Sequence, residues 1–242
     1  MTVKEFLDYL SQELNRSPRT VISYAEDLYA FEAYFLDKDE GLTWETIDTD
    51  IIRDRMESMV DKGNSPSSVA RRLSAVKGFF KFALAREFIS SDPAHAIRSP
   101  KRSRPLPQFL KENEINDLLD KQAWGDDFKG LRDRLIIMMF YETGVRLAEL
   151  VGMDDEAVNL AGQFIKVTGK GDKQRVIPFG NELKSMIENY VEERNRTVSR
   201  KTEALLVSET GLRIKPDLVQ RIVKENLARF CSLKKKSPHV LR

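Results

Sequence analysis

The 242-residue sequence predicts a mainly α protein of two domains. The first hundred residues repeat strong helix-start signals, each followed by apolar residues spaced three and four apart. A proline-rich, basic stretch near residue 100 interrupts that pattern. Helical periodicity then resumes, broken once by two short β-type runs around a glycine-rich turn.

Thr2 and Glu5 form a capping-box pattern ahead of Phe6, Leu7, Leu10 and Leu14. In "SPRTVISYAEDLYAFEAYF" Ser17 reads as N-cap and Pro18 as the first helical residue, with Val21, Tyr24, Leu28, Phe31 and Phe35 as one apolar stripe. A third helix is expected from about Thr49 through Ile52, Met56 and Met59 to a stop at Gly63. Ser65 and Pro66 repeat the start signal for a fourth, whose buried stripe is Val69, Leu73, Val76, Phe80 and Ala83. Four helices with short connections make a small bundle. The opposite side of the fourth helix carries Arg71, Ser74, Gly78 and Lys81, flanked by Arg72 and Lys77. Such a face reads either as a DNA-backbone contact with Gly78 permitting close approach, or as solvated charge with Gly78 serving helix packing.

"SDPAHAIRSPKRSRPLPQFL" holds four prolines and a Lys/Arg cluster and reads as a basic linker. The expected boundaries are 1–98 for the first domain, 99–107 for the linker and 108–242 for the second domain. His95, with no partner nearby in sequence, is read as structural. In the second domain "KENEINDLLD" and "LRDRLIIMMFYETGVRLAELVGM" are helical by period, and Gly144 marks a break or turn. Phe164–Val167 and Arg175–Pro178 are expected strands. Helices follow over Asn181–Arg194 and Lys215–Phe230, with "ALLVSETG" as a brief apolar segment between them.

Composition narrows the function classes. One cysteine excludes a disulfide framework and a multi-cysteine metal site, and two histidines disfavour a histidine-built zinc site. With an acidic residue at position five and no long apolar run, neither signal peptide nor membrane span is read, and the cytosol is expected. Residues 1–100 hold 13 Lys and Arg against 17 Asp and Glu, whereas the remainder holds 27 against 21. Segment 53–104 has 12 basic and 5 acidic residues. This basic zone reads either as a polyanion surface or as solvated helix faces.

Three short motifs carry candidate chemistry. In "YETGVRLAEL" Glu149 stands three residues after Arg146 and can hold its guanidinium in one orientation, as phosphate clamping requires, although Arg-x-x-Glu is also a common surface pair. In "VTGKGDKQRVIP" a glycine on each side puts Lys170 at a hairpin tip, with Lys173 and Arg175 beyond. The turn lacks Walker A spacing and joins strand to strand, which argues against nucleotide hydrolysis. In "SPHVLR" Ser237 and Pro238 again read as a helix start, placing His239 and Arg242 on one face of a first helical turn where an anion is favoured.

Together these pieces resemble the tyrosine recombinase (phage integrase) family, most closely its bacterial Xer branch. The matching stretches are "LP" at 106–107, "TGVRLAELVGM" at 143–153, "VTGKGDKQRVIPFG" at 167–180 and "SPHVLR" at 237–242, with the two Ser-Pro helices resembling the SAM-like core-binding domain. The resemblance implies Arg146, Lys170, His239 and Arg242 as catalytic residues, Glu149 as their support, and no metal or other cofactor. Arg71, Arg72, Lys77, Lys81, Lys173 and Arg175 are the expected DNA contacts. The expected partners are double-stranded DNA and further recombinase copies, in a tetramer on two sites formed with itself or a paralogous recombinase. No membrane or small-molecule substrate is expected, and the location implied is nucleoid-associated cytoplasm. The family's reaction cleaves one strand through a 3′-phosphotyrosine, so Arg146 and Arg242 would neutralise the phosphoryl charge. Lys170 would protonate the leaving 5′-oxygen, and His239 would exchange the nucleophile's proton or hydrogen-bond the phosphate.

The family pattern continues past His-x-x-Arg to its tyrosine, whereas the tyrosines here are at 9, 24, 29, 34, 141 and 190. Tyr141 falls in a helix read as core and is not taken as nucleophile. The chain is therefore expected to be C-terminally truncated before the nucleophile and inactive in cleavage, its second domain incomplete. The implied role is chromosome or plasmid dimer resolution, or mobile-element integration and excision. Alternatives are a non-catalytic protein occupying recombination sites and a type IB topoisomerase, against which the Xer-like first domain argues.

Overall fold

The computed structural model describes residues 1–101, 110–120, 123–169, 173–231 and 236–241. Lys170, Arg242, and Leu106 and Pro107 of the expected linker lie outside the described residues. The chain forms two compact units, Met1–Pro105 and Leu106–Arg242.

The first unit is all helical among its described residues. Helix α1 (Val3–Asp8) starts at the Thr2–Glu5 capping box and runs into a π-turn at Tyr9–Glu13. Ser17 caps α2 (Pro18–Lys38) by accepting the Thr20 N–H, and Ser65 caps α4 (Pro66–Ala85) by accepting the Ser68 N–H. Between them α3 covers Thr49–Asp61. The core joins Leu28, Phe31 and Phe35 of α2 to Leu73, Val76, Phe79 and Phe80 of α4. Trp44, from the α2–α3 connection, stands 4.3 Å from Phe79 and 5.2 Å from Phe35 between ring centroids, and its indole N–H donates to Glu32 at 2.7 Å. One aromatic side chain thereby pins a connection that has no periodicity of its own.

Two expectations change here. The polar side of α4 is narrower than its pattern implies, because Ala70, Ala75, Phe79 and Phe82 are buried as well. Phe6 and Tyr9 of the N-terminal segment pack on Phe82, at centroid distances of 5.4 and 4.9 Å. A Cβ on Gly78 would lie 3.4 Å from the Phe6 ring and 3.6 Å from Tyr24, so this glycine sits in a helix–helix contact rather than on an open face. The start of the proline-rich stretch is also core: Ala94 and Ile97 are buried with the helices, and Pro93 accepts the Thr49 hydroxyl hydrogen bond at 2.9 Å.

The second unit is mainly α with a small sheet. Helix α5 spans Glu112–Leu119, α6 Phe128–Thr143, α7 Leu147–Gly152, α8 Asn181–Thr197 and α9 Pro216–Phe230. Strands β1 (Val158–Asn159), β2 (Phe164–Thr168) and β3 (Gln174–Pro178) form an antiparallel sheet in sequence order. Ile165 and Val167 point into the core, with Ile165 opposite Ile177 and Val167 opposite Arg175. Strand β1 is two residues long, too short to show any period. Arg194 of α8 is fully buried, donating to both oxygens of Asp155 at 2.8 and 3.0 Å and to the Leu205 carbonyl at 2.8 Å. It fastens the "ALLVSETG" segment, which makes isolated bridges instead of a full strand. Tyr141 is 47% exposed although Met139 and Phe140 are fully buried, so it is not a core residue.

The expected α-helical turn at "SPHVLR" is instead a 3-10 turn, Pro238–Val240. Pro238 and Leu241 are both buried, and residues three apart eclipse in 3-10 geometry, which seats the pair together. Ser237 makes no side-chain cap bond.

Candidate active site

The site grows from the way α6 ends. Thr143 turns its hydroxyl back to the Met139 carbonyl, and Gly144 takes the left-handed conformation, φ 59°, that closes the helix. Val145, fully buried, anchors the next residue, so Arg146 emerges in extended backbone as the N-cap of α7. Glu149 stands one turn on, its side chain 4% exposed, and accepts the Arg146 backbone N–H at 2.7 Å and the Arg146 Nη1 at 2.9 Å. The Arg146 side chain remains 57% exposed. One nitrogen is held and the rest of the fork faces outward.

Arg175 of β3 completes the arrangement by donating Nη1 and Nη2 to the two Glu149 oxygens at 2.7 and 2.8 Å. The bond from the Arg175 side chain, with those from the Arg146 backbone and side chain, holds the Glu149 carboxyl down at about 2 against the rise that burial alone would cause. The carboxylate is therefore ionised throughout the physiological range. The end of β2 lies close against it: a Cβ on Gly169 would lie 3.4 Å from Glu149 Oε1 and 3.5 Å from Arg175 Nη1. The Gly169 N–H donates to the Lys173 carbonyl at 2.8 Å, so both ends of the turn that contains Lys170 are fixed here.

The structure thus brings together Arg146, Glu149, Arg175 and the base of the hairpin turn. His239 is exposed on its 3-10 turn, and Lys173 is exposed at the end of the hairpin. In the first unit, most of the basic residues expected to contact DNA have internal partners. Arg71 makes a two-nitrogen pair with buried Asp27, one arm at 2.8 Å, and also donates to Ser23. Arg72 stands 3.8 Å from the same carboxylate and 3.4 Å from Asn64 Oδ1. Lys77 donates to the Ile97 carbonyl at 2.5 Å, whereas Lys81 is exposed. Asp27 was missed from sequence; its only signal there is a carboxylate set directly beside the apolar stripe of α2.

Residues 3–87 match the phage integrase N-terminal SAM-like domain, and residues 108–242 match the phage integrase family. The chain belongs to the phage integrase family. Among its relatives, the tyrosine recombinase XerC of Natranaerobius thermophilus is 36% identical, over 98% of this chain and 81% of that protein. XerC of Chlorobaculum tepidum is 32% identical over 98% and 79%, and XerD of Oceanobacillus iheyensis 29% over 99% and 81%. The chain is thus a Xer-like tyrosine recombinase in sequence. Solved structures share its fold. XerH site-specific recombinase, in a post-cleavage complex with a palindromic difH substrate, superposes with TM-score 0.76 at 20% identity, over 99% of this chain and 71% of that one. The Tn1549 transposon integrase, in complex with circular intermediate DNA, gives 0.75 at 16%, over 100% and 84%. No helix among the described residues of this recombinase is long and apolar enough to cross a membrane.

Proposed function

We propose that this recombinase binds duplex DNA and that its second unit holds a scissile phosphodiester against the outward fork of Arg146. The observation that carries the reading is Glu149: a buried carboxylate clamped by Arg175 and aiming a half-exposed guanidinium beside the hairpin turn. A phosphoryl group under attack accumulates charge on its non-bridging oxygens, and a pre-oriented guanidinium stabilises that charge without reorganising. Arg242 supplies the second fixed charge, Lys170 protonates the leaving 5′-oxygen, and His239 exchanges the nucleophile's proton or bonds the phosphate. No cofactor enters the scheme. Lys81 and Lys173 reach the DNA backbone directly. Arg72 and Lys77 do so from partly buried positions, and Arg71 and Arg175 act through the carboxylates they hold. Assembly is a tetramer on two DNA sites, with itself or a paralogous recombinase, in dimer resolution or mobile-element movement within nucleoid-associated cytoplasm. Residues 1–98, 99–107 and 108–242 serve as core-binding domain, linker and catalytic domain.

Tyr190 is fully buried, its phenol pushed up to about 12 by burial and its oxygen accepting the Val207 N–H. Tyr141 is exposed but belongs to α6, ahead of the clamp. We infer that the 242-residue polypeptide binds DNA and leaves it uncut. A nicked suicide substrate tests this on the polypeptide itself: retarded DNA with no covalent adduct is expected. An adduct mapped to any of the six tyrosines would overturn it.

A further inference from the structure

Helix α2 carries a feature the clamp does not use. Its inner side holds Leu28, Phe31 and Phe35, so its outer side should be polar. Instead Ile22, Tyr29 and Leu36 are 59%, 49% and 40% exposed. They stand seven residues apart, with exposed Ala33 and half-buried Ala25 between them. At about 100° per residue these five positions share one arc about 80° wide, and the line from Ile22 to Leu36 runs about 21 Å. Single exposed apolar side chains are ordinary, but a seven-residue repeat is the spacing by which one helix packs against another.

Charge at the two ends identifies the occupant. Arg19, exposed, lies one turn before Ile22, while Asp37 and Glu40, also exposed, follow Leu36. Neither Arg19 nor Asp37 has an ion-pair partner among the described residues. Both oppose the helix dipole, which favours anions at the N-terminus and cations at the C-terminus, so nothing within α2 accounts for their placement. A second α2 laid antiparallel does account for it. Tyr29 then meets Tyr29 of the other copy, Ile22 meets Leu36, and Arg19 meets the Asp37–Glu40 turn at both ends. A parallel arrangement would put like charges together.

We propose that the outer face of α2 is a self-association surface, on which two copies of this chain pair antiparallel about a two-fold axis at Tyr29. The contact is isologous and closes on itself. One helix pair buries less than the roughly 1,200 Å² of a stable interface, so the dimer is weak unless copies are held close together. Glu26, exposed on the same face, finds no opposite charge there, a second reason for weakness.

Sedimentation equilibrium and cysteine cross-linking of the full chain test the pairing. Oxidised Tyr29→Cys should form a linked dimer by itself, whereas Ile22→Cys should do so only when mixed with Leu36→Cys. Arg19→Asp should raise the dissociation constant about tenfold, and adding Asp37→Arg should restore most of it, the signature of a direct pair. Failure of Tyr29→Cys to link while wild type stays monomeric at the highest concentration overturns the proposal. Self-linking of Ile22→Cys, which signals a parallel pair, overturns it equally. Every substituted position is exposed, and circular dichroism confirms that each variant is folded before it is scored.

Discussion

Each unit buries one carboxylate beneath two arginines, and the two clusters are built for different ends. Asp27 on α2 faces Arg71 and Arg72, neighbours on α4, and Arg71 commits both terminal nitrogens to it. Glu149 faces Arg175 from β3, which also commits both nitrogens, and Arg146 from its own helix, which commits one nitrogen and its backbone N–H. The first cluster ties two helices together and leaves little of the Arg71 fork for a ligand. The second splits the work: Arg175 fixes the carboxylate, and the carboxylate aims Arg146. One chemistry thus yields a staple in one unit and a presented cation in the other. The number of nitrogens already in use distinguishes them.

The largest expected effect is at the shared carboxylate of the second cluster. Glu149→Ala removes a buried anion from between two guanidiniums and should lower unfolding free energy by about 2–3 kcal/mol, less than for a fully buried pair because both arginines are part-exposed. Urea denaturation checks this, and a loss below about 0.5 kcal/mol would show that the carboxylate organises nothing.

The Glu149 carboxyl sits at about 2 in the folded chain against an ordinary 4.5. Because its folded value is depressed, its stabilisation is complete above about 4.5 and is lost as pH falls towards 2. The change should be on the order of 1–2 kcal/mol after solvent screening of the arginines, and Glu149→Gln should flatten it. Comparing urea midpoints at pH 6 and pH 3 decides it; identical slopes for wild type and variant would remove Glu149 from the acid response.

A smaller effect sharpens the contrast between the clusters. Arg71→Gln should cost about 1 kcal/mol, with most of that coupled to Asp27 in a double-mutant cycle with Asp27→Asn. Absence of coupling would dissolve the staple. The smallest stability change is predicted for Arg146→Gln, within about 0.5 kcal/mol because the side chain is exposed. The same variant should reduce the salt dependence of DNA binding by about one charge. If Arg71→Gln produced the larger change in salt slope, the roles of the two arginines would be reversed.

The local elements were legible because their signals are local. Ser17–Pro18, Ser65–Pro66 and Thr2–Glu5 mark helix starts within four residues, and caps satisfy orphan N–H groups with side chains from the same turn. Arg146 and Glu149 are likewise three apart, so their bond follows from helical geometry alone. A 3-10 turn at Pro238 was not legible, because Ser-Pro is an equally good start for an α-helix. The 3-10 form shows only in its backbone bonds, from the Val240 N–H to the Ser237 carbonyl and the Leu241 N–H to the Pro238 carbonyl.

What the sequence by itself determined was the helix framework, the hairpin, the motif residues and the family they resemble. Only the tertiary structure decided which guanidinium nitrogens are already paired. Arg175 reaches Glu149 across 26 residues and Arg71 reaches Asp27 across 44, separations at which no periodicity connects the partners. Gly78, ambiguous in sequence, is assigned by the Phe6 ring above it, and Trp44 by the phenylalanines around it. Burial and pairing are properties of the packed chain, because a side chain's solvation depends on neighbours that folding alone brings near.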